Sequence, residues 1–308
     1  MPDWFSFAKL RASYAEVGND LGAYQLHNQY YIGKDANNNT IAWPDGTLYD
    51  PSVRSELIKS KEVGVDLRFL NNRIHIDASW YRTNATRQLL NLPMDPSSGY
   101  RSKKINAGDI QNEGFEIMAS AAIIESAGGF SWDVTTNISR NVNKIIDLYP
   151  GITEYGLANV EGAFKVTAPI GGKYGEMYGY KALRGEDKSS PYYGQIIVDG
   201  DGLPQAGKSW EYLGCQQPDL LVGLTNRFSY KGISLSVLLD MRFGGKIYSG
   251  TTSQMSRYGT AAGTVVNGER ADFVVPGAVM VNENGDYVPN TKEVSPRNYW
   301  VRVSEFHN

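Results

Sequence analysis

Connections of two sharply different lengths alternate along this chain, and they join segments in which apolar and polar residues take turns. Phe7–Val17 sets Leu10, Ala12 and Tyr14 against Lys9, Arg11 and Ser13. Glu62–Phe69 sets Val63, Val65, Leu67 and Phe69 against Glu62, Gly64, Asp66 and Arg68. The same period of two runs through Ile74–Thr83, Glu113–Ala121, Phe130–Ile138, Leu220–Tyr230 and Ile233–Phe243. Successive side chains on a strand point to opposite faces, so each segment predicts a strand with one apolar and one polar face. Helical periodicity is missing from all seven.

Leu70–Arg73, Ala122–Gly129 and the pair Lys231-Gly232 are short enough for hairpin turns. Between them lie the long stretches Gly18–Glu56, Asn84–Gly108 and Lys144–Pro218, and a further long stretch follows Gly244. Compact water-soluble domains seldom carry loops above about 15 residues. A transmembrane barrel pairs short periplasmic turns with long extracellular loops, and several segments reach the roughly 9–11 residues that a tilted strand needs to cross a bilayer. The expected fold is therefore all-β, an antiparallel transmembrane β-barrel segment of seven or eight strands with long extracellular loops. Seven strands start on the short-turn side and stop on the long-loop side. Single-chain bacterial barrels use an even number, so residues 1–308 are expected to form part of a larger barrel. The competing reading is a soluble β-sandwich carbohydrate-binding module, whose strands also alternate but turn their charges to water.

Hydrophobic residues make up 41% of the chain, enough to exclude wholesale disorder. Basic and acidic residues nearly balance, 30 against 33, so no basic face is available and no nucleic-acid partner is expected. Tyr outnumbers Phe 20 to 10, which suits half-wet places such as membrane interfaces and ligand-lined loops. No apolar run approaches the roughly 20 residues of a membrane helix, and Met1-Pro2-Asp3-Trp4 opens without the apolar core of a signal peptide. The lone Cys215 excludes an internal disulfide, and His27, His75 and His307 are scattered without ligand spacing. No cofactor is expected.

Gly202–Ser209 satisfies the phosphate-loop pattern G-x-x-x-x-G-K-S. A working loop needs a helix behind it to bind phosphate, and Gly214 and Pro218 break any helix there, while Asp199 and Asp201 would repel the anion. Asp199 and Asp201 are a weak calcium candidate, because Leu203 and Trp210 stand where a calcium loop would want oxygen ligands. With no G-x-S-x-G and no H-E-x-x-H, no enzyme is expected. Candidate ligand contacts are the aromatics of the long stretches: Tyr30, Tyr31, Trp43 and Tyr49 in the first, Tyr178, Tyr192 and Tyr193 in the third.

AKLRASYAEVGND at Ala8–Asp20, EVGVDLRFLNNRIHIDASWYRT at Glu62–Thr83 and NAGDIQNEGFEI at Asn106–Ile117 resemble stretches of the SusC/RagA family of TonB-linked outer-membrane transporters. PIGGKYGEMYGY at Pro169–Tyr180, VDGDG at Val198–Gly202, the run Pro218–Tyr248 and the run Phe273–Thr291 are similar to that family in the same order. The resemblance implies a place in the C-terminal half of a 22-stranded barrel in the bacterial outer membrane. It implies import of oligosaccharides or peptides, driven by the TonB–ExbB–ExbD complex, with a SusD-like surface lipoprotein as partner. Against the family pattern, the chain is expected to lack the TonB box, the plug and the early strands, and to end at Phe306-His307-Asn308 inside an extracellular loop.

Overall fold

The structure, a computed structural model, describes residues 4–23, 26–160, 164–265 and 268–304. Met1-Pro2-Asp3 and the Phe306-His307-Asn308 end lie outside them. The strands are β1 (Phe5–Asn19), β2 (Tyr30–Lys34), β3 (Thr40–Pro44), β4 (Thr47–Tyr49), β5 (Glu56–Phe69), β6 (Ile74–Pro93), β7 (Ser102–Glu125), β8 (Phe130–Asp147), β9 (Glu154–Val160) and β10 (Phe164–Pro169). They continue as β11 (Glu176–Gly179), β12 (Ile196–Val198), β13 (Glu211–Cys215), β14 (Leu220–Tyr230), β15 (Ile233–Phe243), β16 (Phe273–Val274), β17 (Ala278–Val281), β18 (Tyr287–Pro289) and β19 (Glu293–Val294). Among the described residues there are also two eight-residue α-helices, α1 (Gly250–Arg257) and α2 (Pro296–Val303).

Contacts divide the chain into two units. The first, residues 1–155, 169–174 and 218–244, is a wall. Its strands run β1-β5-β6-β7-β8-β14-β15, each antiparallel to its neighbour, with β4 paired in parallel to β7. All seven expected strands are present, in chain order. The sheet is open: among the described residues β1 and β15 each have one neighbour.

Register explains the alternation. Leu10, Val65, Ala78, Ile117, Ile138, Val222 and Met241 stand opposite one another across all seven strands. One residue along, on the other face, Lys9, Asp66, Asp77, Met118, Asn137, Gly223 and Asp240 form the next row. The apolar face stays open to the surroundings: Leu10 is 77% exposed, Leu235 58% and Val63 47%. A soluble sandwich would bury this face as its core, so the sandwich alternative fails here. Lipid is the solvent that suits an exposed apolar band.

Aromatic rings bound the band. Near the short turns Trp4 stacks on Phe69 at 5.9 Å and Trp132 on Phe228 at 5.8 Å. At the other end the lipid-side face turns polar in the row Tyr14, Lys61, Arg82 and Glu113, where Arg82 pairs with Glu113 at 2.8 Å. From Phe69 to Lys61 is eight residues of β5, or about 26 Å along the strand, close to the roughly 25 Å apolar band of such barrels.

The turn Lys231-Gly232 has φ of 44° and 86°, the doubly positive combination that matches the twist of a hairpin. Leu70, Asn71 and Asn72 all have positive φ in the turn before β6. The long connections depart from expectation. Asn84–Gly108 is mostly strand: β6 and β7 continue their ladder to Pro93 and Ser102, well past the apolar band. Beyond the band neither face needs apolar residues, and Arg87, at φ 57°, with Gly108, at φ 83°, interrupts the pairing without shifting its register. Strands β5 and β8 likewise outrun their expected segments.

The second unit, residues 156–168, 175–217 and 245–308, is built from the third long stretch and the residues after Gly244. It holds the sheet β13-β11-β10-β9, the sheet β12-β17-β18 and the pair β16-β19. Small cores hold its described residues: Val198, Val275, Ala278 and Val294 in one, Phe164, Val166 and Met177 in another. These stretches are folded structure rather than loops.

Candidate ligand-binding site

The expected aromatic contacts fall into separate places. In the first unit, β2 and β3 form a hairpin in which Tyr31 stands opposite Trp43, their rings 6.2 Å apart. Gly33 makes room for this, since a Cβ there would lie 2.7 Å from the Trp43 ring. Tyr30, Tyr31 and Trp43 are all exposed. Tyr49 is different: β4 lies against β7, the Lys104 ammonium sits 5.9 Å from the ring, and burial pushes the phenol's pKa up. The next residue, Asp50, accepts from the Ser52 hydroxyl and amide and pairs with Lys103 at 3.1 Å, which holds its carboxyl down at about 2.

In the second unit Lys165, Tyr178 and Tyr212 form one row across β10, β11 and β13. Tyr178 meets Tyr212 edge to face at 5.8 Å. The Lys165 ammonium lies 5.5 Å from both the Tyr178 and Trp210 rings, and Tyr180 stacks on Trp210 at 4.7 Å. The Tyr178 hydroxyl donates to Glu176 at 2.7 Å. Four rings, one ammonium and one carboxylate grouped at this sheet can hold a flat ligand that is apolar on its faces and polar at its edge. Tyr192, half-buried, and Tyr193, exposed, sit instead on the loop clasped by Gly185 and Gln195. Trp210, Tyr212 and Lys165 were not singled out from sequence. Their signal was the alternation Trp210-Glu211-Tyr212, obscured by the phosphate-loop match just before it.

That match has no helix behind it: β13 follows instead. The Asp199 carboxylate caps a tight turn, accepting from the amides of Asp201 at 3.0 Å and Leu203 at 2.9 Å, while Gly202 takes φ 82°. Among the described residues, a grouping of three possible metal ligands lies in the first unit. Asp66, His75 and Asp77 gather on the polar face of the wall, bringing together residues whose sequence spacing suggested nothing. Arg11 clamps Asp77 with two bonds of 2.7 Å, Arg68 lies 3.5 Å from Asp66, and His75 3.0 Å from Asp66. Two guanidinium groups already compensate both carboxylates, which suits an ion-pair network better than a cation site.

Comparison with known proteins agrees with this architecture. The family model described as "TonB dependent receptor-like, beta-barrel" matches residues 2–290. The chain is 24% identical over 290 residues to the TonB-dependent receptor SusC of Bacteroides thetaiotaomicron, spanning 88% of this chain and 27% of SusC. It is 26% identical over 272 residues to TonB-dependent receptor P26 of Formosa agariphila, spanning 80% of this chain and 26% of that one. Among solved structures, the RagAB peptide importer in its closed-closed state superposes with a TM-score of 0.64 at 22% identity, covering 80% of this chain and 27% of that one. The chain thus spans about a quarter of the length of the relatives it matches. It belongs to the TonB-dependent receptor-like β-barrel family, whose place is the outer membrane.

Proposed function

We propose that this chain supplies barrel wall and extracellular substructure to a TonB-linked importer of oligosaccharides or peptides. One observation carries the reading: a seven-stranded sheet with an exposed apolar band on one face and a charged, hydrogen-bonding opposite face. Such a sheet suits lipid outside and a wet lumen inside. The face of Lys165, Tyr178, Tyr180, Trp210 and Tyr212 suits capture of a sugar ring or a peptide side chain. A SusD-like lipoprotein as partner and TonB–ExbB–ExbD as energy source accord with the likeness to SusC. The contact with that complex is assigned to the rest of the receptor, since this chain covers about a quarter of SusC's length.

The test is uptake. Cells lacking the parent receptor should lose import of at least one glycan or peptide class, and the intact gene should restore it. A receptor with Tyr180→Ala and Trp210→Ala should reach the membrane yet show weaker uptake at low ligand concentration. Unchanged uptake of every glycan and peptide in the deletion strain would sink the reading.

A further inference from the structure

The second unit contains a hollow of about 370 Å³ that belongs neither to the aromatic face nor to the wall. It is bounded by the end of α1, the start of α2 and the segment between them, and three guanidinium groups line it: Arg257, Arg270 and Arg297. Among the described residues no carboxylate lines it. Neither Arg270 nor Arg297 makes an ion pair with a described carboxylate.

Arg270 and Arg297, like charges at one concavity, repel each other and raise its positive potential, which an incoming anion relieves. The site is also held in shape. Thr264, 1% exposed, donates through its hydroxyl to the carbonyls of Gly259 and Ala261 at 3.1 and 2.7 Å. Arg270 donates to the same Gly259 carbonyl at 2.6 Å, which fixes one arm of its guanidinium and leaves its other N–H groups as donors. Tyr258, 75% exposed, and Trp300 add aromatic surface to the wall of the hollow.

We infer that this hollow binds the oxyanion group, carboxylate or sulfate ester, of an acidic carbohydrate, with Arg270 and Arg297 gripping the anion and Tyr258 and Trp300 meeting the sugar ring. A planar guanidinium matches two oxygens of a carboxylate or sulfate at once. Rings beside those donors favour a cyclic, amphipathic ligand over a bare ion. The inference deepens the import reading and rests on it only for ligand access from outside the cell.

The experiment measures binding to the full receptor in detergent by calorimetry, with four probes: an oligogalacturonate, a sulfated oligosaccharide, neutral maltohexaose and hexaglutamate. At least one acidic sugar should bind at least tenfold more tightly than maltohexaose. That binding should weaken at least tenfold in Arg270→Gln/Arg297→Gln, and also in the unaltered receptor at 0.5 M NaCl, which needs no variant to fold. Arg270→Lys/Arg297→Lys keeps the charge and should recover part of the loss. Equal binding of neutral and acidic sugars, no loss in the Gln variant, or hexaglutamate binding in place of both acidic sugars would each overturn the inference. Retained binding without uptake would overturn only the import reading.

Discussion

At the scale of single residues, glycines in the strands mark places where a long side chain crosses a neighbouring strand. Arg11 stands opposite Gly64 and reaches over it to Asp77 on the strand beyond. A Cβ on Gly64 would sit 2.8 Å from the Arg11 guanidinium. Tyr81 crosses Gly114 in the same way and donates to Asn141 at 3.2 Å. A strand glycine costs backbone entropy, which close approach of this kind can offset. Gly64→Val should therefore destabilise the folded barrel by about 1–3 kcal/mol through overpacking. The cost should shrink once Arg11→Ala has removed the crossing side chain, as read from urea unfolding in detergent. An equal cost with and without Arg11 would show that the glycine serves something else. In the sequence Gly64 reads only as one more member of the polar face. Its reason lies in two strands far away in the chain.

At the scale of elements, the facing of each strand was legible from alternation, because a bilayer demands apolar residues on one side only. Register now places Val65 and Ile76 in the apolar rows and Ser79 in the row of Arg11 and Glu116. Arginine at Val65 or Ile76 should impair insertion by about 2–4 kcal/mol, whereas Ser79→Arg should be tolerated. Folded fraction in lipid vesicles measures this, and similar losses at all three positions would refute the facing. Asp66, equally on the polar face, is a poorer control, since it already pairs with Arg68 and His75. Strand ends were less legible. Above the row of Tyr14, Lys61, Arg82 and Glu113 both faces of β6 and β7 meet water, so pairing continues without the pattern that reveals it.

At the scale of the whole molecule, the exposed band predicts behaviour without lipid. Expressed without detergent, the 308 residues should aggregate rather than give a soluble, cooperatively unfolding monomer, since the apolar rows far exceed what a soluble surface leaves open. Ultracentrifugation with and without detergent decides it, and a soluble monomer in buffer alone would count against a membrane wall.

The sequence by itself determined seven strands, their order, their facing and the sides on which turns and long connections fall. Each of these follows from local rules: period two, turn chemistry, and the bilayer's one-sided demand for apolar residues. Only the tertiary structure decided what the long connections become. Lys165 meets Trp210, and Arg270 and Arg297 come to line one hollow, through contacts between distant parts of the chain. No periodicity records such meetings, because folding of the second unit is driven by small cores such as Val198 with Val275, Ala278 and Val294, whose members share no repeat. The alternation of short and long connections located the wall, and those distant contacts built the candidate sites of the second unit.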